Sequence, residues 1–491
     1  MNVSKNDLFY VLMSIVVAAI GVVAVNNPHN KLGLFGLMGL LGIAVVMAII
    51  IRPSLGANIL VIAIFTNISD LLTKQNYTNI GIIKPLVVVV AVALLLRYLY
   101  VGQVPMGHSK TAKVEYFLLA YFMVVIASYL VASDKTTTMA EITDLGKDMV
   151  IIYCILFALR ESRTWKQTTW IMLITTALLC LLSVYQLVTH NYEQTFFRLA
   201  DTQIDQALGD TATPRAGGPI NAPNLWAQVL VAMSTLAVFR LVYEKQTIKK
   251  IAALLILGVL LYIALNTYSR GAYLVLAIDT LLILLTFRKR FNITIPLAGV
   301  IILGLALPFL PPTYRDRFTS LFVVTSNNGI YQDTSLRGRS SEMLTGLAMF
   351  AEHPILGVGA GNYKPNYQRY AQLIGIEFRT EARDPHSLYV QILAETGILG
   401  FVAFLGLFIF LFDALNKACR DIARSPHLVD WLPWISALRF AILSYLLTSI
   451  FLHNAYIRYL WILVAMALTG IQITYNLLTN VERHISVEAR R

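Results

Sequence analysis

Three short segments carry residue types that bind a diphosphate or move a proton. Arg215 lies in a run rich in turn residues, directly before an apolar stretch. Arg270 stands beside Gly271 at the junction of two apolar stretches, where a small residue permits close approach. His386 precedes another apolar stretch. Two guanidinium forks suit a diphosphate, and an imidazole suits a general base. These types predict a group-transfer site for an anionic substrate.

Each of these candidates has a plainer reading that the sequence leaves open. Arg215 has the position of an interfacial arginine that binds lipid phosphate. His386 alone is compatible with a packing role, and His453 is its rival as a base. The glycine run 357–361 follows no predicted strand, so a turn with exposed backbone is favoured over a dinucleotide site.

The composition requires a membrane around the elements that hold these residues. The 491 residues are 57% hydrophobic and 13% charged, whereas a soluble domain has about 25% charged residues. The formal net charge is +12, but the basic residues are scattered between apolar runs. We therefore expect membrane lipid, and no nucleic acid, as a partner. The three cysteines have no CxxC spacing, and we expect them to be buried apolar residues.

Apolar runs of roughly 20 residues predict transmembrane helices. The expected fold is an all-α polytopic membrane protein with about 12–14 such helices and a large periplasmic loop containing short helices. The predicted spans are 8–25, 32–51, 57–72, 80–101, 114–132, 143–159, 167–189, 223–243, 250–266, 270–287, 292–312, 391–413, 433–452 and 457–478. Of these fourteen spans, 57–72 is short and 143–159 contains charged residues. If these two do not cross the membrane, twelve spans remain.

Basic clusters in short loops predict the orientation. They fall on one side when the spans are threaded in order, and the positive-inside rule makes that side cytoplasmic, with both termini. The long segments 190–222 and 313–390 then lie on the opposite, periplasmic side. Loops of this length are usually functional or disordered. The chain divides into an N-terminal bundle, helices with the first periplasmic loop, a catalytic loop, and C-terminal helices with a cytoplasmic tail: 1–189, 190–312, 313–390 and 391–491.

Local patterns give three finer expectations. Asn221 is predicted to cap the helix that begins at Pro223. Residues 341–352 are predicted to form an amphipathic helix along the membrane surface, ended by a proline. A charge inside a span is costly unless it is paired, so Asp279 and Arg439 are expected to approach each other.

Four motifs, taken in their order and spacing, carry a resemblance to a known family. The chain resembles the O-antigen ligase and polymerase superfamily across about residues 210–410. The motifs are Ser-Arg-Gly-Ala at 269–272, Ser-Leu-Arg-Gly-Arg at 335–339, His-Pro with Gly-Val-Gly at 353–359, and His-Ser-Leu-Tyr at 386–389 with Glu-Thr-Gly-Ile-Leu-Gly at 395–400.

The resemblance implies a metal-independent membrane glycosyltransferase without a cofactor. It implies that Arg215 and Arg270 hold the diphosphate of an undecaprenyl-linked glycan donor and that His386 is the catalytic base. The further candidates for lining the site are Asn224, Arg337, Arg339 and Tyr389. The expected location is the bacterial inner membrane, with several membrane passes and a periplasmic active site.

Within this family the acceptor stays open. A ligase transfers the glycan to lipid A core, a polymerase transfers it to another lipid-linked glycan, and a protein O-oligosaccharyltransferase transfers it to a protein. The rival outside this class is a transporter or flippase of lipid-linked glycans. That rival predicts an inverted repeat and several charges deep in spans, and the sequence has no visible repeat.

Overall fold

A computed structural model describes residues 42–69, 81–101, 110–205, 213–286, 334–374, 381–453 and 458–488. The chain is an all-α polytopic membrane protein. In order, its elements are α1 (Gly42–Ile51), α2 (Pro53–Phe65), α3 (Ile83–Val101), α4 (Ala112–Ser128), α5 (Lys135–Ala158), α6 (Ser162–Thr189), β1 (Asp201–Asp205), β2 (Thr213–Gly218), α7 (Pro223–Tyr243), α8 (Thr247–Asn266), α9 (Arg270–Thr286), α10 (Thr334–Glu352), α11 (Tyr363–Ile374), α12 (Leu388–Arg424), α13 (Leu432–Thr448) and α14 (Arg458–Glu488). Short 3₁₀ turns at Pro426–Trp431 and Ser449–Phe451 flank α13.

Seven helices in the described ranges are long and apolar enough to cross a membrane. They are α3, α6, α7, α8, α12, α14 and α13 with its flanking turns. The helix predicted at 223–243 has those bounds, whereas the one predicted at 391–413 extends to Arg424. The predicted spans at 8–25 and 292–312 lie outside the described residues.

The helices differ in how far they are covered by their neighbours. In α7, 78% of the apolar window is buried, and in α14 the share is 72%. In α3 and α8 the shares are 28% and 22%. The central helices therefore bury most of their surface against protein, and the outer ones present apolar side chains outward, as lipid-facing helices do.

A two-stranded hairpin interrupts the helical fold and was not predicted from the sequence. Strands β1 and β2 pair antiparallel, with Gln203 opposite Arg215. Asn221, the predicted helix cap, instead has a left-handed backbone with φ 53°. Ala222 occupies the cap position of α7 without a capping side chain, and the carbonyl of Asn221 accepts a hydrogen bond from Gln203 at 2.6 Å. The cap prediction is wrong because Asn221 lies in the tight turn between β2 and α7, where its amide donates to the carbonyl of Gly218.

Asp279 and Arg439, which were expected to approach each other, hydrogen-bond to different side chains. Asp279 is buried on α9 and accepts a hydrogen bond from the hydroxyl of Thr235 at 3.4 Å. Arg439 donates to the side-chain oxygen of Asn416 at 2.8 Å. The buried Asp279 and the partly buried Arg439 thus each have an uncharged hydrogen-bond partner. The cysteines at 154, 180 and 419 are free and buried, as expected.

The predicted amphipathic helix at 341–352 is the second half of α10, which ends at Glu352, before the proline. Its orientation is informative. Leu344 and Leu347 are each 41% exposed, whereas Glu342 and Thr345 on the opposite side are buried. The polar side of this helix packs inward, and its apolar side faces away from the protein.

Candidate active site

Arg215 joins the hairpin to the starts and ends of two membrane helices. It lies on β2, and its Nε donates to the carbonyl of Thr267, just after α8, at 2.9 Å. Its Nη2 donates to the side-chain oxygen of Asn224, on the first turn of α7, at 3.0 Å. The Arg215 guanidinium is therefore anchored at the helix ends, and two of the predicted site residues, Arg215 and Asn224, are in direct contact.

Arg270 is brought to the same place by the turn between α8 and α9. Thr267, which binds Arg215, lies three residues before Arg270, the first residue of α9. Tyr268 in this turn has φ 52°. A Cβ on Gly271 would meet the Phe451 ring at 3.0 Å, so this glycine permits the close approach expected of it. Arg270 is partly buried.

A narrow pocket connects this end of the bundle to α10. It measures about 10 Å³, the space of about one water molecule. Its walls include Asn224, Gln228, Ser269, Gly271 and Arg339. Arg339 lies on α10, so the pocket joins the first turns of α7, the α8–α9 turn and α10. A diphosphate requires more room than this pocket has.

His386 lies immediately beyond, in the short turn before α12. Its backbone is left-handed, with φ 46°, a conformation that is uncommon outside glycine and clusters at functional sites. Its Nε2 faces the carboxylate Oε2 of Glu342 at 3.5 Å. Burial is the main cause that lowers the pKa of His386 to about 3, with the charges of His453, Arg339 and Arg383 acting in the same direction. His386 is therefore neutral at pH 7, the state in which it can accept a proton.

His453, the rival base, is adjacent to His386. The two ring centroids are 5.4 Å apart in an edge-to-face arrangement. His453 Nε2 faces Asp384 at 3.5 Å, and Lys364 lies 3.7 Å from the same carboxylate. Burial lowers the pKa of His453 while Asp384 opposes that shift. The structure thus places both histidines in one cluster, each facing its own carboxylate.

Arg337 and Tyr389 are the last two residues that were predicted to line the site. Arg337 lies two residues before Arg339 on α10, which places the two on different sides of the helix. The Tyr389 hydroxyl donates to the carbonyl of Leu446 at 2.9 Å and so joins α12 to α13. A place for Tyr389 in the wall of the site stays a prediction.

The glycine run of the external loop holds this cluster in place through backbone contacts. The amide of Val358 donates to the carbonyl of Ala394 at 2.8 Å, and the amide of Ile398 donates to the carbonyl of Pro354 at 2.8 Å. Gly397 breaks the helical geometry of α12 at this point, with φ 64° and ψ −163°. The loop therefore docks into a kink of α12, which agrees with the predicted backbone-exposing turn.

Asn362 fixes the other side of this loop and was not singled out from the sequence. It is fully buried, and its side-chain oxygen accepts from the Ser133 hydroxyl at 2.9 Å and from the Asp134 amide at 2.6 Å. Its amide group donates to the Thr138 hydroxyl at 2.6 Å. One side chain thus connects the external loop to the α4–α5 junction.

Among the described residues, no three His, Cys, Asp or Glu side chains are grouped as metal ligands would be. Asp384 and Glu342 each face a histidine at 3.5 Å. The metal-independent site remains a prediction.

Comparison with known proteins agrees with the family resemblance. Residues 252–405 match a family described as O-Antigen ligase. The match supports the resemblance to the O-antigen ligase and polymerase superfamily, and the matched segment contains Arg270, Arg339, Glu342 and His386.

No curated protein matches the chain. A solved chain from a structure titled "Structural coordination of polymerization and crosslinking by a peptidoglycan synthase complex" superposes with a TM-score of 0.41 and 16% identity. The alignment covers 76% of this chain and 99% of the other.

Proposed function

We propose that this protein transfers a glycan from undecaprenyl diphosphate to an acceptor hydroxyl during surface polysaccharide assembly. The observation that carries the proposal is the convergence of Arg215, Arg270, Arg339 and His386, from four separate segments, at one end of the helical bundle. Arg215 reaches the α8–α9 turn, Arg339 lines the pocket of that turn, and its charge acts on His386.

The arginines supply the anion-binding half of the reaction. A polyprenyl chain stays in the bilayer, so its diphosphate lies at a membrane boundary, where helix ends and loops meet. We assign Arg215 and Arg270 to the diphosphate, whose charge grows as it leaves the anomeric carbon. Fixed cations at that point stabilise the transition state more than the ground state.

His386 supplies the proton-accepting half. The acceptor hydroxyl attacks the anomeric carbon from the face opposite the leaving diphosphate, so the configuration inverts. The new glycosidic bond forms as the bond to the diphosphate breaks. The hydroxyl proton moves to the neutral imidazole of His386, a step that contributes about 10²–10⁴ in rate. No step requires a metal ion when arginines hold the diphosphate.

We place the protein in the bacterial inner membrane, with this site on the periplasmic face. The acceptor is lipid A core for a ligase or a second lipid-linked glycan for a polymerase.

Purified protein in proteoliposomes with undecaprenyl-diphosphate oligosaccharide tests the proposal. The liposomes receive lipid A core, a second lipid-linked glycan or a protein acceptor, and products are identified by mass. We expect transfer to one of the first two, retained in excess EDTA, and abolished in His386→Ala with donor binding preserved. Movement of the donor between leaflets without any product, unchanged in His386→Ala, would identify a flippase instead. Transfer only to protein would assign the third acceptor class.

A further inference from the structure

Glu342 is a buried carboxylate beside His386, and the proposed reaction gives it no role. Its residue surface is 3% exposed, which is unusual for a carboxylate. Its Oε2 lies 3.5 Å from His386 Nε2. Catalytic hydrogen bonds are often this long before substrate binds and shorten afterwards. A buried carboxylate beside an imidazole is the arrangement that orients a catalytic histidine.

The fold fixes Glu342 in this position from two sides. One turn further along α10, a Cβ on Gly346 would come within 2.5 Å of Val390, so the absence of a side chain lets α10 approach α12. The Tyr363 hydroxyl donates to the backbone carbonyl of Glu342 at 2.5 Å. Glu342 is therefore held by packing and by its own backbone, and it does not depend on a flexible surface contact.

Burial is the main cause that lowers the pKa of His386, and neighbouring positive charges add to it. Arg339 on α10 and Arg383 in the preceding turn both lower the pKa of His386 by repulsion. The same cations favour the ionised form of a carboxylate beside the ring. His453 faces the ring from the segment after α13, with Asp384 and Lys364 beyond it. A negative charge on Glu342 has the opposite sign to Arg339 and Arg383 and favours the protonated form of an imidazole beside it.

We propose that Glu342 is the positioning residue of His386: it holds the proton of Nε2 and leaves Nδ1 as the atom that accepts the acceptor-hydroxyl proton. The Nδ1 atom is buried and has no hydrogen-bond partner among the described residues. An imidazole that receives a proton at Nδ1 becomes a cation, and the Glu342 carboxylate stabilises that cation at Nε2. The inference rests on the proposed function for its chemistry, but the Glu342–His386 pair can be tested without substrate.

The first test measures the imidazole of His386 in the full protein without any glycan. Hydrogen–deuterium exchange at the imidazole C2 position, followed by peptide mass spectrometry over a range of pH, reports the pKa of each histidine. Glu342→Gln should lower the pKa of His386 by on the order of one unit, because it removes an adjacent negative charge. The matched control is Glu352→Gln, on the same helix, whose exposed carboxylate pairs with Arg369 at 2.9 Å. That control should leave His386 unchanged.

The second test measures transfer. Glu342→Gln should reduce kcat by about tenfold to a hundredfold, the usual effect of losing an orienting partner, while the donor KM changes less than threefold. The acid limb of the rate profile should move to lower pH, Glu342→Asp should recover part of kcat, and Glu352→Gln should behave as wild type. An unchanged His386 exchange profile in a folded Glu342→Gln protein overturns the inference. If the wild type shows no transfer, the proposed function fails, and the exchange result still decides the role of Glu342.

Discussion

The docking of residues 354–359 into the kink of α12 depends on Gly397. Its φ of 64° and ψ of −163° fall in a region that is essentially restricted to glycine. A Cβ at this position would lie 2.3 Å from the carbonyl oxygen of Ile355, which is backbone and cannot rotate away. Gly397→Ala therefore forces either the α12 kink or the loop to move.

Two effects determine how far Gly397→Ala should lower the free energy of unfolding. The strained backbone conformation costs about 1–3 kcal/mol for a residue with a side chain. Displacing the loop weakens the bonds from the Ile398 and Leu399 amides to the loop carbonyls, now 2.8 and 3.4 Å long. Each net backbone hydrogen bond contributes about 1 kcal/mol. We therefore expect a destabilisation of about 3–5 kcal/mol and a loss of transfer, because this loop segment follows the helix that carries Glu342.

The assay is a thermal melt of purified protein in detergent, followed by tryptophan fluorescence. Gly258→Ala is the matched control, because it lies inside α8 and a Cβ there has no atom within 4 Å. Alanine is favoured over glycine in a helix by about 0.5–1 kcal/mol, so this control should melt at or slightly above the wild-type temperature. Equal melting temperatures for Gly397→Ala and Gly258→Ala would show that the loop does not dock as described.

Three further predictions concern single side chains. Asn362→Asp should lower the melting temperature and speed proteolysis of the external loop, since two amide donors become acceptors beside Asp134; unchanged cleavage would contradict that linkage. Arg215→Lys should weaken donor binding about tenfold, about 1.4 kcal/mol, because one ammonium cannot hold the fork to Thr267 and Asn224; equal affinity in a titration would refute it. The folded-state pKa of His386 is lowered to about 3, below its ordinary value of about 6.5. Its stabilising contribution is therefore complete above about pH 6.5 and is lost as the pH falls towards 3, so melts of His386→Gln should depend less on pH in that window than melts of wild type.

The helical part of the fold was predictable because long apolar runs have few alternatives in a membrane. The bounds of α7 and the starts of α9 and α14 follow from such runs to within a residue. The hairpin was not predictable, because β1 and β2 are short, polar and stabilised by a contact far away in sequence. Arg215 was recognised as a site candidate from its neighbours, but its position on a strand comes from pairing with Gln203 and from the carbonyl of Thr267.

Glu342 was missed for a different physical reason. The sequence identifies the apolar side of α10 and assumes that this side is the important one. In a membrane protein the apolar side of a surface helix faces outward, and the polar side is free to line a site. Ser341, Glu342 and Thr345 are buried for this reason. Glu342 could have been found from its spacing, because it lies three residues after Arg339 and so shares one face of the helix with that predicted site residue.

The assembly of the candidate site from separate segments requires rigid junctions, and the backbone provides them. Asn221, Tyr268 and His386 are all left-handed, with φ values of 53°, 52° and 46°. Each lies within two residues of the start of α7, α9 or α12. Such conformations cost on the order of 1–3 kcal/mol each and persist only where the surroundings enforce them. Three features hold these left-handed conformations in place. They are the β1–β2 hairpin, the contact of Gly271 with Phe451, and the loop docked at Gly397. The strain at these junctions is therefore balanced by packing elsewhere in the fold, and that packing sets the positions of Arg215, Arg270 and His386.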